Sequence, residues 1–313
     1  MTAAMLCSPV MSARIAVVGS LMADLVVRVP RLPIAGESLI GRSAELFVGG
    51  KGGNQALAAK RAGATHVSMI GRVGQDEFGE RIVATLAADG VDCSHVTRDR
   101  ANSTGVAIPM VLDDGSNAIV AVPQANLAMS AADVIAASGV IAAADMLLVQ
   151  FEVGMEAVET AMHLAREAGV RVLLNPAPIA PHPAGLLRMP AVLVANEVEA
   201  AALAPGCDGD HGREALELLA AGPAAVVVTL GAAGALLATQ DGQAFIPPFI
   251  VDAVDSVGAG DAFCGALAVA LCEGMELAAA VRFASAAGAL AATRLGAAAS
   301  LPARREIEAL LHV

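Results

Sequence analysis

Short apolar runs alternate along this chain with longer stretches whose apolar positions recur every three to four residues. Arg14–Gly19 (RIAVVG), Val67–Ile70, Asp145–Gln150, Arg171–Leu174, Ala191–Val194 and Ala225–Leu230 (AVVVTL) have the length and β-branched content of buried strands. Between them, Phe78–Ala88 carries Ile82, Val83 and Leu86 on one face. Ala56–Ala62, Met155–Ala168 and the charged stretch Arg213–Leu219 also have helical spacing. The chain closes with two Ala-rich helices, roughly Asp261–Glu273 and Leu277–Arg294, and an amphipathic one near Ala303–Leu311. Strand and helix in alternation predict an α/β fold: a doubly wound, mostly parallel sheet flanked by helices.

Two stretches break this rhythm. From Leu25 to Phe47 the pattern changes to short alternating strands punctuated by Pro30, Pro33 and Gly36, and Val106–Leu112 with Ala118–Val122 predicts a hairpin around Asp113-Asp114-Gly115. Together they predict a small β-sheet lid from roughly residues 25–48 and 103–123. With no internal repeat and no linker, residues 13–313 read as a single α/β domain. Residues 1–12 contain Met1, Met5 and Met11 but no charged segment followed by a long apolar one, so a disordered leader is expected there rather than a signal peptide.

Composition narrows the function. Of 313 residues 56% are hydrophobic, enough for a large core, yet there are seven Phe and no Trp or Tyr. A base or sugar ring cannot be held by Tyr or Trp stacking. The net charge of −12 argues against nucleic acid and anionic membrane surfaces as partners. It also means that a phosphorylated ligand needs a local anion site. Five scattered cysteines without a CxxC pair fit reduced core thiols in a cytoplasmic protein, and no apolar run reaches the length of a membrane span. The six histidines have no metal-ligand spacing.

The polar chemistry gathers at strand ends and Gly-rich turns. Asp252–Phe263 (DAVDSVGAGDAF) places Gly258, Ala259 and Gly260 before a helix starting at about Asp261, which suits an anion through backbone N–H groups and the helix dipole. Asp261 is either an N-cap or, where a phosphate is the ligand, the base that takes a proton from an attacking hydroxyl. Asp24 falls just past the first strand. Gly49–Gln55 (GGKGGNQ) brackets Lys51 and Asn54 with glycines; it is neither a phosphate-binding GxxxxGK[ST] loop nor GxGxxG, and reads as a tight strand-to-helix turn or a site for a hydroxylated ligand. Glu152 and Asn175 stand at strand ends. Asn196 and Glu199 sit three apart at a helix start, where they can share a site or cap the helix. Gly231-Ala232-Ala233-Gly234 follows AVVVTL as a plausible nucleotide seat.

GGKGGNQ near residue 50, followed by DSVGAGDAF near residue 260, resembles the ribokinase (PfkB) family of sugar and nucleoside kinases. VVGSLMAD (17–24), STGVA (103–107), QFE (150–152), NPAP (175–178), NEVEA (196–200), VVVTLGAAG (226–234) and RFASAAGALAATRLGAAAS (282–300) extend the resemblance over most of the chain. Within the family, NPAP, QFE and the TRLGA segment are closest to the ribose kinases. The resemblance implies ATP-dependent transfer of a γ-phosphoryl group to the 5-hydroxyl of D-ribose. In it Asp261 is the catalytic base, and Gly258, Ala259 and Gly260 form the anion hole. Asp24, Gly50, Lys51, Gly52, Gly53, Asn54 and Glu152 hold the sugar. Asn196, Thr229, Leu230, Gly231, Ala232, Ala233, Gly234, Gly260 and Ser285 lie on the ATP side. Glu199 holds Mg²⁺ through water, in keeping with a metal that retains its hydration shell. Asp255 and Ser300 by side chain, and Val257, Ala291, Arg294 and Gly296 by carbonyl, hold an activating K⁺. The family fold includes a β lid often shared across a homodimer.

Two departures concern the sugar. Met22 stands where family members often carry an Asn that contacts the sugar, and Pro123-Gln124-Ala125-Asn126 stands where Gly-Ala-Asn is more usual. They leave open a kinase of another sugar or nucleoside, such as deoxyribose, a ketohexose or adenosine, and a non-catalytic sugar-binding protein of the same fold.

Overall fold

The computed structural model describes residues 12–113, 117–183 and 185–312. Apart from Ser12, the expected leader lies outside the described residues, as do Asp114 and Gly115 of the expected hairpin turn. The strands are β1 (Arg14–Val18), β2 (Met22–Val29), β3 (Ser43–Gly49), β4 (His66–Gly74), β5 (Asp92–Asp99), β6 (Gly105–Leu112), β7 (Asn117–Val122), β8 (Met146–Gln150), β9 (Arg171–Asn175), β10 (Val192–Asn196), β11 (Ala225–Thr229), β12 (Ala235–Thr239) and β13 (Gly242–Ile246). The helices are α1 (Lys51–Arg61), α2 (Glu77–Ala88), α3 (Ala131–Ala136), α4 (Ser138–Ala142), α5 (Met155–Glu167), α6 (Glu197–Leu203), α7 (His211–Ala220), α8 (Ala259–Cys272), α9 (Leu277–Ala292), α10 (Ala297–Ser300) and α11 (Arg304–Leu311).

The large sheet has the order β13-β12-β11-β10-β9-β8-β1-β4-β5. It is parallel from β11 to β5, and the β12–β13 hairpin adds an antiparallel edge. Because successive side chains on a strand point to opposite faces, β1 feeds both core layers. Ile15 and Val17 belong to the core layer that includes α1, α2, α8 and α9, while Ala16 and Val18 belong to the layer that includes α3 to α7. On the first face α1 and α8 are built from Ala and Gly, and they approach so closely that a Cβ at Gly265 would come within 2.5 Å of Ala58 Cβ.

The second sheet has the order β3-β2-β6-β7, with β2 antiparallel to β3 and parallel to β6, and β6 antiparallel to β7. Its strands come from the two stretches that break the βα rhythm. The chain crosses between the sheets four times: from β1 to β2 through Gly19-Ser20-Leu21, from β3 to α1 through Gly50, from β5 to β6, and from β7 back toward α3 and β8.

Several elements differ from expectation. Helix α1 begins at Lys51 instead of near Ala56, so the Gly-rich stretch is the first turn of a helix and not a loop before one. Likewise α8 begins at Ala259, placing Asp261 inside its first turn. Asp24, expected just past the first strand, lies within the second one, β2. The half-exposed edge strand β5 (DCSHVTRD), the β12–β13 hairpin and the short α3 and α4 carry too little periodicity to be read. Among the described residues no helix is long and apolar enough to cross a membrane.

Candidate active site

The polar residues collect at the carboxyl ends of the parallel strands, where open α/β sheets bind their ligands. Ser20 follows β1, Gln150 ends β8 just before Glu152, Asn175 ends β9, and Asn196 and Thr229 are register partners at the ends of β10 and β11. The first turns of α1 and α8 point at this edge.

Asp261 is 6% exposed, and both carboxylate oxygens are held by amides of α1. Oδ2 accepts from Asn54 Nδ2 at 2.9 Å and Oδ1 accepts from Gln55 Nε2 at 3.1 Å. Two acceptor positions of the carboxylate remain for a ligand. Asn54 Oδ1 is buried without a partner among the described residues. The N-cap of α8 is Gly258, in the left-handed region at φ 81°. Ala259 N–H donates to Ser256 O at 3.2 Å. The N–H groups of Gly260 and Asp261, at the second and third helical positions, have no acceptor within the helix and join the positive end of its dipole.

Glu152 serves α1 in the same way. Gly50 has no side chain with which to cap the helix, and Glu152 Oε2 accepts from Lys51 N–H at 2.9 Å and from Ser20 Oγ at 2.5 Å. Gly52 lets α1 sit directly on the β1–β2 link: a Cβ there would come within 2.5 Å of Gly19 C and 2.6 Å of Ser20 N. Asn126 pins the same link, its Oδ1 accepting from Leu21 N at 2.8 Å and its Nδ2 donating to Leu21 O at 2.9 Å. The neighbouring Gln124 adopts φ 46°, a left-handed conformation that Gly takes at less cost. Met22, buried at the start of β2, occupies the place of the frequent Asn.

Carboxylates crowd the site, and their ionisation reflects it. Burial, then the charges of Glu152 and Asp261, push the Asp24 carboxyl up to about 7. Burial likewise raises Glu199, against the hydrogen bond from Asn196 N–H and the charge of Lys51. Burial alone would lower the Lys51 ammonium, but Asp261, Glu152, Glu199 and Cys264 outweigh it and hold that ammonium above its ordinary value. The raised Asp24 has a stability consequence. Between about pH 3.8 and 7 the folded chain holds a proton that the unfolded chain has released, so this group's contribution is lost as pH rises through that window. Asp24→Asn removes the ionisation. Its urea midpoint relative to the parent chain should therefore improve between pH 5 and pH 8, and a constant difference across that range would contradict the assignment.

The other expected residues fall into two groups. Asn196 and Glu199 form a reciprocal capping box at the start of α6. Gly231–Ala233 form an exposed 3₁₀ turn closed by Leu230 N–H donating to Gly234 O, and Ser285 Oγ donates to Val281 O within α9. No hydrogen bond joins these to the Asp261 cluster among the described residues. Asp255 ties together the two segments expected around K⁺, accepting from Val257 N–H at 3.0 Å and from Gly296 N–H at 2.9 Å. Ser300 is buried, its hydroxyl donating to Ala297 O at 2.8 Å, and the Arg294 side chain turns away to pair with Glu306. A cavity of about 570 Å³ opens between the small sheet and these segments, lined among others by Asp24, Phe47, Pro109, Asp255, Val257 and Gly296.

Sequence reasoning missed Ser20, Gln55, Asn126 and Gln150, and singled out Asn175 without a role. Each is a buried polar residue beside a motif that drew attention. A polar side chain closing an otherwise apolar strand was the available signal for Gln150.

Similarity to known proteins agrees with this geometry. Residues 12–304 match the pfkB family carbohydrate kinase profile. Ribokinase of Bacillus subtilis is 38% identical over 297 residues, covering 95% of this chain and 99% of its own. Deoxyribokinase of Salmonella typhi is 33% identical over 307 residues, covering 96% and 99%. The solved structure of Arabidopsis thaliana ribokinase complexed with ribose and ATP superposes with a TM-score of 0.88 at 30% identity, covering 97% of this chain and all of that one. With its family match running through both the Gly-rich start of α1 and the GAGD turn of α8, the chain belongs to the pfkB family of carbohydrate kinases.

Proposed function

We propose that this chain transfers the γ-phosphoryl group of ATP to the 5-hydroxyl of D-ribose. The observation that carries the reading is Asp261: a buried carboxylate in the first turn of α8, beside free helix-terminal N–H groups and held at both oxygens by amide donors. A carboxylate beside an anion site is suited to taking the proton of a hydroxyl as it attacks phosphorus. The N–H groups of Gly258, Gly260 and Asp261 stabilise charge growing on the phosphoryl oxygens, whereas Ala259 is tied to Ser256 and contributes through the turn's shape.

Asp24, Glu152, Lys51 and Asn54, with the backbone of Gly50, Gly52 and Gly53, hold the sugar hydroxyls. The unpartnered Asn54 Oδ1 is an acceptor ready for one of them. ATP lies over Asn196, Thr229, the 230–234 turn and Ser285. Glu199 fits Mg²⁺ bound through water: it is half-buried, raised by burial, and keeps an oxygen beyond the one that caps α6. Mg²⁺ would neutralise phosphate charge. Asp255, Ser300 and the carbonyls of Val257, Ala291, Arg294 and Gly296 suit a monovalent cation that shapes the turn without touching substrate, since Asp255 already joins both segments. Exposed Ile119, Val120 and Val122 on the small sheet support its role as a lid shared in a homodimer. Four free cysteines among the described residues suit the cytoplasm.

The test is ADP release from Mg-ATP with ribose, 2-deoxyribose, fructose or adenosine, with and without KCl. Strong preference for ribose and stimulation by KCl are expected. Preference for 2-deoxyribose would move the substrate and point to Met22, while no turnover on any of the four would end the kinase reading.

A further inference from the structure

The amides behind Asp261 form a chain whose orientation is set by Val194 O on one side and the Asp261 carboxylate on the other. Asn175 Nδ2 donates to Val194 O at 3.0 Å, which turns its Oδ1 toward Gln55. Gln55 Nε2 then faces two acceptors, Asn175 Oδ1 at 3.2 Å and Asp261 Oδ1 at 3.1 Å, so its Oε1 must point away and accept from Gln150 Nε2 at 2.6 Å. Gln55 and Gln150 are fully buried; Gln150 Oε1 has no hydrogen-bond partner among the described residues and is packed against Gly19, where a Cβ would come within 2.0 Å of it. Turning Gln55 would set its Oε1 against Asn175 Oδ1 and Asp261 Oδ1 and strand Gln150 Nε2, each buried loss costing about 1–3 kcal/mol.

We propose that Gln55, anchored by Gln150 and Asn175, is a positioning residue for the phosphoryl-transfer reaction. It fixes the rotation of the Asp261 carboxylate and supports its ionised form, leaving the outward lone pairs aimed at the substrate hydroxyl. This rests on Asp261 acting as base. The charged and titratable groups around that carboxylate are Asp24 on β2, Lys51 on α1, Glu152 after β8, Glu199 on α6 and Cys264 on α8. All but Lys51 disfavour a further negative charge when ionised. Donors without charge, Gln55 and Asn54, are what the fold sets against them.

Gln55→Met keeps length and removes the donor. The expected result is a kcat about 10–100-fold lower, with the ribose Kd and the KM for Mg-ATP within about threefold, and an acid limb of the kcat profile moved up by about one pH unit. In an Asp261→Asn background the same substitution should lower the residual rate less than about twofold, because it acts through a group already removed. A wild-type kcat and pH profile in Gln55→Met, or an undiminished second loss on Asp261→Asn, overturns the proposal. Normal turnover in Asp261→Asn alone would instead overturn the base assignment. Should Gln55→Met not fold, Gln150→Met removes only the anchor: a kcat several-fold lower with the same pH displacement supports the proposal, and an unchanged profile overturns it.

Discussion

Asp261→Asn should lower kcat by about 10²–10⁴-fold while ribose binding, measured by calorimetry, stays within a few-fold. An amide cannot take the proton, and the loss falls on the transition state. The fold should tolerate the change for a specific reason. The new NH₂ group would face a donor from Asn54 or Gln55, but Asn54 has a free Oδ1 and can present it by turning its own amide. Gln55 cannot turn, so the new side chain will keep its oxygen toward Gln55 and its nitrogen toward Asn54. Near-parent turnover in this variant would sink the assignment of Asp261 as base, and collapse of the thermal transition would contradict the amide exchange.

The second large effect is expected at Gly52. In Gly52→Ala the added Cβ meets backbone, Gly19 C at 2.5 Å and Ser20 N at 2.6 Å, which cannot rotate away. Helix α1 must lift from the β1–β2 link, weakening the Lys51 N–H bond to Glu152 and displacing Asn54 and Gln55 from Asp261. Overpacking of this kind costs about 1–3 kcal/mol, read as a lower urea midpoint, and the KM for ribose should rise at least about tenfold. Gly53→Ala is the control. Its Cβ meets the end of the Leu21 side chain at 3.0 Å and backbone no closer than Ser20 O at 3.9 Å, so a milder effect on both is expected. Equal behaviour of the two variants would show that the approach of α1 to Gly19 is not what fixes the site.

The main sheet was legible because its strands are buried on both faces and their helices amphipathic, so β1, β8, β9, β10 and β11 stand out as apolar runs. β5 was not, since an edge strand shielded on one side can be written DCSHVTRD. The start of α1 was misplaced by five residues for an energetic reason. Gly is a poor helix former, and the cap that lets the helix begin at Lys51 comes from distant residues: Glu152 after β8, and Ser20, whose carbonyl accepts from Gly53 N–H. The site divides the same way. Residues within the Gly-rich stretches could be picked from local text, whereas the roles of Ser20, Gln55, Asn126 and Gln150 depend on partners between 95 and 206 residues away. Asn196 and Glu199 could be read either as a cap or as ligands, and they do cap α6.

The close approach of α1 and α8 has a dynamic consequence. Helices meeting backbone to backbone through Gly265 and Ala58 have little room to slide, so Asn54, Gln55 and Asp261 belong to one rigid body, whereas Asp24 rides on the other sheet. Any swing of the small sheet about its four chain crossings widens the mouth of the site and leaves the geometry around Asp261 untouched. Amide hydrogen exchange should then separate the two parts: α1 and α8 protected to the level of global unfolding, the edges β3 and β7 exchanging through local opening.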